Sequence, residues 1–335
     1  MTRLRWFHGV ATVIVASALA AGAWAWAHRP EERSAVVGER WPEMENLAWN
    51  KANLDGAVVI IPDRPHDRAE ADAHRGGNAT IHRVRRFKVS TSSVRLRMPE
   101  LAAKVPGRTR IAAVGDSVTF GWGVRQEEGW VSLLEAELRR RGHDVEVLNA
   151  GSPGAPVASM TAWCRTQAAS LAVDRVIWMR RAPPPDQGGV PEYARGVRAC
   201  EAVSSAPPVV LLPPVSRFDV HGLRAGPREA PAIADLLGPA YVVRDLTDAF
   251  RGAQGNRGAS LVVEGPNASV VDLETGAVWL TTRMGADGRL PAAVGQLFER
   301  EPAVAEALIF DGGHPDVEGN AVMAGLIADI IEPTL

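Results

Sequence analysis

The sequence predicts an α/β protein in which helices cover both faces of a parallel sheet. Between residues 110 and 212, short apolar segments of strand length alternate with amphipathic segments of helical period. Such alternation is typical of parallel sheets whose strands are joined by crossover helices. The 335 residues are 46% hydrophobic and 23% charged, a composition that excludes a mostly disordered chain.

The individual elements follow from the apolar runs and their periods. Trp130, Leu134 and Leu138 share one stripe of the segment 126–141, which predicts an amphipathic helix ending at Gly142. The predicted strands are 110–117 with its closing turn, 145–151, 175–179, 208–212 and a short fifth strand at 241–243. The other predicted helices are 155–171, 192–203 and 316–331.

The regions that flank this alternation have a less regular pattern. Residues 28–105 predict a short helix at 44–53, a strand at 57–61, an exposed loop at 64–77 and irregular strands at 80–97. Residues 251–308 break the rhythm and predict a hairpin at 270–280. We therefore divide the chain into an N-terminal segment at 1–33, an extension at 34–105, and an α/β domain at 106–335 with an insertion at about 251–308.

The N-terminus has the pattern of a membrane-directing segment. Arg3 and Arg5 precede an uncharged stretch, 9–27, which as a helix is about 28 Å long and nearly spans a bilayer core. Basic residues before such a stretch favour a cytoplasmic N-terminus and an exported remainder. Two interpretations stay open: an uncleaved anchor, which the length favours, and a signal peptide cleaved after 21–23 or 25–27.

Charge and cysteine content narrow the possible partners. The net charge is −2, from 37 basic and 39 acidic residues, which argues against a nucleic-acid binder. No metal motif or phosphate-binding loop occurs in the sequence, so we expect neither a metal nor another cofactor. Cys164 and Cys200 pair if the protein is exported, but two buried thiols are equally compatible with the sequence.

Three polar segments supply the residue types of a nucleophilic site. Ser117 ends the turn after the first central strand, Gly151 ends the second strand, and Asp311 and His314 come just before the last helix. Sites of parallel sheets form at the carboxyl ends of the strands, so these segments are expected to meet. Together they supply a serine, a histidine and an aspartate, the set that activates a hydroxyl as a nucleophile.

The chemistry assigns each of these residues a role. Ser117 needs a base, the His314 imidazole can accept its proton, and the Asp311 carboxylate can fix the tautomer of the ring. The backbone amides of Ser117 and Gly151 are the expected donors to the negative oxygen of the substrate.

These motifs resemble those of the SGNH (GDSL-type) hydrolases. RIAAVGDSVTFGWGV is similar to the first block of the family, LNAGSPG to the second, and FDGGHPDVEGNAVMA to the last. The resemblance implies a flavodoxin-like three-layer α/β/α sandwich with Ser117 as nucleophile, His314 as base and Asp311 as its orienting carboxylate. VSTSSVRLRMPE resembles a segment of exported, membrane-anchored members, which implies a catalytic domain outside the cytoplasm, periplasmic or extracellular, held to the membrane by the N-terminal helix.

The third block of the family is absent. There the family carries Gly-x-Asn-Asp, whose Asn completes the oxyanion hole, but here the third strand runs into Arg180 and Arg181. Either arginine can replace the missing donor, or both are surface charges and the protein is slow or inactive. Trp122 follows the serine turn and lines a substrate pocket or packs in the core.

The resemblance implies a serine esterase that acts on acyl esters, either lipids or acetylated glycans. Two alternatives stay open. An O-acyltransferase of a cell-surface polysaccharide would use the same acyl-Ser117 intermediate. A degenerate domain that binds glycans or scaffolds a complex would use none, and the missing Asn favours it.

Overall fold

The N-terminal extension contributes a small three-stranded sheet. In the computed structural model the described residues are 35–36, 53–55, 57–62, 84–183, 185–214, 229–255, 259–264, 267–272, 277–283, 308 and 314–335. Strand β2 (Ala57–Pro62) lies between β1 (Ala35–Val36), which is parallel to it, and β3 (Val84–Val89), which is antiparallel. The strand predicted at 57–61 is therefore confirmed.

The membrane-directing segment predicted at 9–27 lies outside the described residues, as does nearly all of the helix predicted at 44–53. Among the helices that the structure describes, none has the length and apolar character needed to cross a bilayer.

A five-stranded parallel sheet forms the centre of the protein. Its order is β5-β4-β6-β7-β8, the doubly wound order in which the first strand lies inside the sheet. The strands are β4 (Thr109–Gly115), β5 (Val145–Gly151), β6 (Arg175–Met179), β7 (Val209–Leu212) and β8 (Val243–Asp245). The predicted flavodoxin-like parallel sheet is confirmed, and its fifth strand begins at Val243, two residues later than predicted.

Helices cover both faces of this sheet, which confirms the three-layer sandwich. The helices are α1 (Ser117–Phe120), α2 (Trp130–Arg140), α3 (Val157–Trp163), α4 (Gly189–Glu201), α5 (Glu229–Leu237), α6 (Thr247–Gln254) and α7 (Val317–Ile331). Because successive strand residues point to opposite faces, Val114 and Trp178 pack with α3, α4 and α5, whereas Ile111 and Ile177 pack with α2, α6 and α7.

A disulfide joins two helical segments on one face of the sheet. After α3 the chain continues through a π-helical turn (Cys164–Ala168) and a 3-10 turn (Ala169–Leu171). Cys164 at the start of the π turn is bonded to Cys200 near the end of α4, and both side chains are fully buried. Of the two alternatives for these cysteines, the structure contains the pair.

Some elements of the structure differ from the sequence prediction. Helix α2 begins at Trp130 instead of 126, because Gly129 is extended and separates it from a 3-10 turn at Gln126–Glu128. Helices α5 and α6 were not predicted, and Pro231 in the first turn of α5 obscured that helix. The predicted hairpin exists as β10 (Asn267–Asp272) and β11 (Val278–Arg283), but β9 (Ala259–Glu264) adds a third strand.

Candidate active site

The candidate site lies at the carboxyl end of β4, where the order in which strands are added to the sheet changes direction. Strand β4 has β5 on one side and β6 on the other, so the connections that leave β4 and β5 depart over opposite faces. Gly115, the last residue of β4, is in register with Gly151 of β5 and with Met179 of β6. The segments that follow these three residues therefore meet at one edge of the sheet.

Ser117 is held by a tight turn between β4 and α1. Asp116 caps α1, and its Oδ1 accepts the backbone N–H of Val118 at 3.1 Å. A side chain at Gly115 is excluded, because its Cβ would lie 2.0 Å from Thr119 Oγ1 and 2.5 Å from the Met179 carbonyl oxygen. The glycine thus lets α1 start directly against the neighbouring strand, with Ser117 as its first residue.

Arg97 holds the other end of α1. This side chain from the extension is 1% exposed, and its guanidinium donates to the carbonyls of Phe120, Gly121 and Val124, the last at 2.7 Å. Burial lowers the pKa of Arg97 to about 10, so the group is still charged at neutral pH. Orphan carbonyls at a helix end need such donors. Sequence reasoning missed this residue because nothing local marks a buried arginine.

Replacing Arg97 with methionine is expected to lower the free energy of unfolding by about 2–3 kcal/mol. The substitution leaves buried carbonyls without a charged donor, and each hydrogen bond from a charged group contributes about 1.5–3 kcal/mol. Part of this loss is offset, because the variant no longer buries a charge. Chemical denaturation measures the change. Arg108→Met is the control, since Arg108 forms an exposed pair with Asp144 and such pairs contribute less than about 1 kcal/mol. Equal losses in the two variants would contradict the assigned clamp.

The structure brings His314 to Ser117. His314 Nε2 lies 2.8 Å from Ser117 Oγ, within the range for proton transfer between nucleophile and base. Both side chains are partly buried. The predicted orienting carboxylate, Asp311, lies outside the described residues, so its role stays a prediction.

Asn320 fixes the loop that carries His314, and sequence reasoning missed it. This residue of α7 is 1% exposed, and its Nδ2 donates to the carbonyls of Pro315 and Asp316 at 3.0 and 2.8 Å. Its Oδ1 accepts the backbone N–H of Trp130 at the start of α2. The loop that carries His314 is thereby connected to a helix on the same face of the sheet. Asn320 lies one turn into a helix, where an asparagine has no recognisable signal.

The structure gives the Gly151 amide a different partner from the one expected. Its N–H donates to Asn149 Oδ1 at 3.0 Å, and Asn149 in turn lies against the Phe120 carbonyl. Gly151 is needed for packing, because a Cβ there would lie 2.1 Å from the Phe120 nitrogen. The exposed Gly154 has a φ of 71°, and no acceptor among the described residues binds its N–H. The Gly154 N–H, unlike that of Gly151, is thus left for a ligand.

The two arginines that replace the third block have different surroundings. Arg180 Nη1 lies 3.4 Å from Asp116 Oδ2 and donates to the Ala155 carbonyl. Arg181 turns the other way, where Nη1 donates to Asp245 Oδ2 at 2.7 Å. Burial raises the pKa of Asp116, and the charge of Arg180 opposes that rise. Arg180 therefore lies next to the serine turn, whereas Arg181 braces the far part of the sheet.

An aromatic side chain borders the histidine. Trp122 is partly exposed, its ring centroid is 6.4 Å from that of His314, and Phe87 of the extension packs edge-on against it at 5.5 Å. Of the two interpretations of Trp122, the packing one is confirmed, because the ring packs on Phe87 and Phe120. Its place in a substrate pocket stays a prediction. No group of three His, Cys, Asp or Glu side chains in the described ranges is arranged to hold a metal ion.

Comparisons with known proteins give similarity of fold. No family model matches the sequence, and no curated protein matches it. A putative lipolytic protein of the G-D-S-L family from Desulfitobacterium hafniense is 15% identical with a TM-score of 0.40, and covers 66% of this chain and 99% of its own. A lipase/acylhydrolase from Enterococcus faecalis is 16% identical with a TM-score of 0.41, and the match covers 68% of this chain and 97% of that protein. An acetyl xylan esterase is 14% identical with a TM-score of 0.42, and the match covers 66% of this chain and 99% of that protein. At these values the function of the chain has to be argued from its own residues.

Proposed function

We propose that this protein is a serine ester hydrolase that works through an acyl-Ser117 intermediate. The observation that carries the proposal is the 2.8 Å contact between His314 Nε2 and Ser117 Oγ. A serine hydroxyl is a weak nucleophile by itself and is activated by an adjacent imidazole. Here the pair lies at the carboxyl ends of a parallel sheet, where such folds bind their ligands.

The proposed reaction has two steps, acylation of Ser117 and hydrolysis of the acyl-serine. Ser117 Oγ attacks the ester carbonyl carbon while its proton passes to His314 Nε2, and the carbonyl π electrons move onto the oxygen. As the oxyanion collapses, the carbon–alkoxide bond breaks and His314 returns the proton to the leaving oxygen. In the second step water attacks the acyl carbon while one of its protons passes to His314 Nε2. The carbon–Oγ bond then breaks, His314 returns the proton to Ser117 Oγ, and the acid is released. Asp311 is the proposed partner of the other ring nitrogen.

The surroundings of the site support an acyl-ester substrate outside the cytoplasm. Trp122 offers an apolar ring beside His314, suited to an alkyl chain or a sugar face of a lipid or an acetylated glycan. The disulfide between Cys164 and Cys200 is typical of oxidising compartments, which supports export. A periplasmic or extracellular catalytic domain, anchored by the segment 9–27, is part of the proposal.

Labelling with a fluorophosphonate probe tests the proposal, because the probe reacts with activated serines. The full chain is expected to be labelled in a 1:1 ratio, and Ser117→Ala is expected to abolish labelling completely. A p-nitrophenyl acyl series then reports hydrolysis and the preferred chain length.

Ser170→Ala is the matched control, since Ser170 is an exposed serine whose hydroxyl binds the Gln167 carbonyl. This variant should be labelled like the wild type. A folded wild-type chain that neither reacts with the probe nor hydrolyses any ester would overturn the proposal and favour a glycan-binding or scaffold role.

A further inference from the structure

The geometry points to Arg180 as the side-chain donor that stabilises the oxyanion in this protein. This inference rests on the proposed function, and it names the group that acts in place of the absent asparagine. In the first step the substrate oxygen becomes negative as the Oγ–carbon bond forms. A guanidinium N–H beside that oxygen would stabilise it in the transition state more than in the bound ester.

Arg180 lies at the edge of the sheet that carries the serine turn. It directly follows β6, whose last residue, Met179, is in register with Gly115. Gly115 begins the turn that carries Ser117. The backbone N–H of Arg180 bonds the Leu211 carbonyl, and its own carbonyl accepts the hydroxyl of the buried Tyr193. The main chain at this position is therefore fixed on both sides.

Two acceptors hold the guanidinium of Arg180 in one orientation. One nitrogen, Nη1, is held between the Ala155 carbonyl and the Asp116 carboxylate. Asp116 precedes the nucleophile, and Ala155 closes the turn that contains Gly154. The charged group thus joins the two loops that supply the nucleophile and the candidate backbone donor.

The guanidinium of Arg180 keeps donors beyond those that Nη1 uses. Arg180 Nε is buried without an acceptor among the described residues, and none of these residues accepts from Nη2. The side chain is 20% exposed. A guanidinium has five donors in a rigid plane, so fixing Nη1 also fixes Nη2. Nη2 is therefore a donor of fixed orientation that no described residue uses.

Arg181 provides the internal comparison. It is also an arginine paired with an aspartate, but its donors are used by the Pro213 carbonyl, Asp245 and Thr247. Both of its terminal nitrogens have acceptors, so Arg181 braces the structure, whereas Arg180 keeps a donor for the substrate.

The test compares Arg180→Met with Arg181→Met in the full chain, with p-nitrophenyl acetate as substrate. Removing one oxyanion donor in a comparable hydrolase costs about 10²–10³ in kcat. We expect a loss of this size for Arg180→Met with KM changed less than about threefold, whereas Arg181→Met should keep kcat within about threefold. The inference is wrong if kcat of a folded Arg180→Met stays within tenfold of the wild type.

Two further variants separate a donor from a residue that only neutralises Asp116. If Arg180 merely balances that carboxylate, adding Asp116→Asn to Arg180→Met should restore kcat. We expect no restoration. Conversely, methylguanidinium in solution should raise the rate of Arg180→Ala saturably, and should not affect Arg181→Ala. Restoration by Asp116→Asn, or no response to methylguanidinium, would overturn the donor role.

Folding and chemistry are read separately. Thermal unfolding shows whether each variant is folded; if Arg180→Met is not, Arg180→Lys keeps the charge but lacks the second terminal nitrogen. A fall in kcat of about tenfold or more supports the donor, and an unchanged kcat refutes it. A wild type that is inert to both ester and fluorophosphonate would refute the proposed function itself, whereas an active wild type with an equally active Arg180→Met would refute this inference alone.

Discussion

His314→Ala is expected to lower kcat for ester hydrolysis by about 10⁴- to 10⁶-fold. In serine hydrolases, removing the base costs about as much as removing the nucleophile, because the two act as one unit. Here the His314 Nε2 and Ser117 Oγ atoms are 2.8 Å apart, and no described side chain other than His314 is within hydrogen-bonding distance of that hydroxyl. Steady-state kinetics with a p-nitrophenyl ester measures the loss, and KM is expected to change little.

His143→Ala is the matched control for this substitution. His143 is a partly exposed histidine whose Nε2 lies 2.9 Å from Glu332, and it is remote from the serine turn in the fold. Its replacement should leave kcat unchanged. If His314→Ala keeps kcat within tenfold of the wild type, another group takes the proton from Ser117 and the assignment of the base fails.

Reducing the Cys164–Cys200 disulfide is expected to lower the free energy of unfolding by about 3–4 kcal/mol. The bond closes a loop with a sequence separation of 36 residues, and a loop of that size restricts the unfolded chain by this amount. Both sulfurs lie in the core beside the sheet, so we expect the surrounding apolar contacts to keep the native packing after reduction. Urea unfolding with and without a phosphine reductant measures the difference.

Reduced wild type and the double variant Cys164→Ala/Cys200→Ala form the comparison. Reduction removes only the covalent bond, whereas the variant also removes two buried sulfur atoms and should lose additional stability. Identical urea midpoints for oxidised and reduced protein, or two free thiols in the mass of the native chain, would contradict the assignment.

The central sheet was predictable because four of its five strands, β4 to β7, are mostly apolar runs of characteristic length. The residues of β4 through β7 are almost entirely buried, so their sequences have no polar face that could be confused with a helix. Helix α6 is different. It is short, only Phe250 and Gln254 are buried within it, and its position depends on contacts with α7. Local sequence carries too little of that information.

The site was predictable where adjacent residues carry the chemistry, and not where distant ones do. Ser117 and His314 each lie in a recognisable motif, and the structure places their side chains within hydrogen-bonding distance. Arg97 and Asn320 act through carbonyls far away in the sequence, so only the folded chain shows them. The neighbouring arginines 180 and 181 look alike in sequence, and the fold alone separates them by sending the two side chains to different partners.

The Arg97 clamp has a consequence for how this protein can evolve. The clamp comes from the extension, Leu96 beside it is fully buried in the main core, and Phe87 supports the Trp122 ring next to the base. The serine turn and the extension therefore depend on each other structurally. A recombination event with a breakpoint near residue 105 would separate Ser117 from the arginine that holds its helix. Exchange of the extension between relatives should consequently be tolerated only when the segment carrying Arg97 is inherited together with the serine turn.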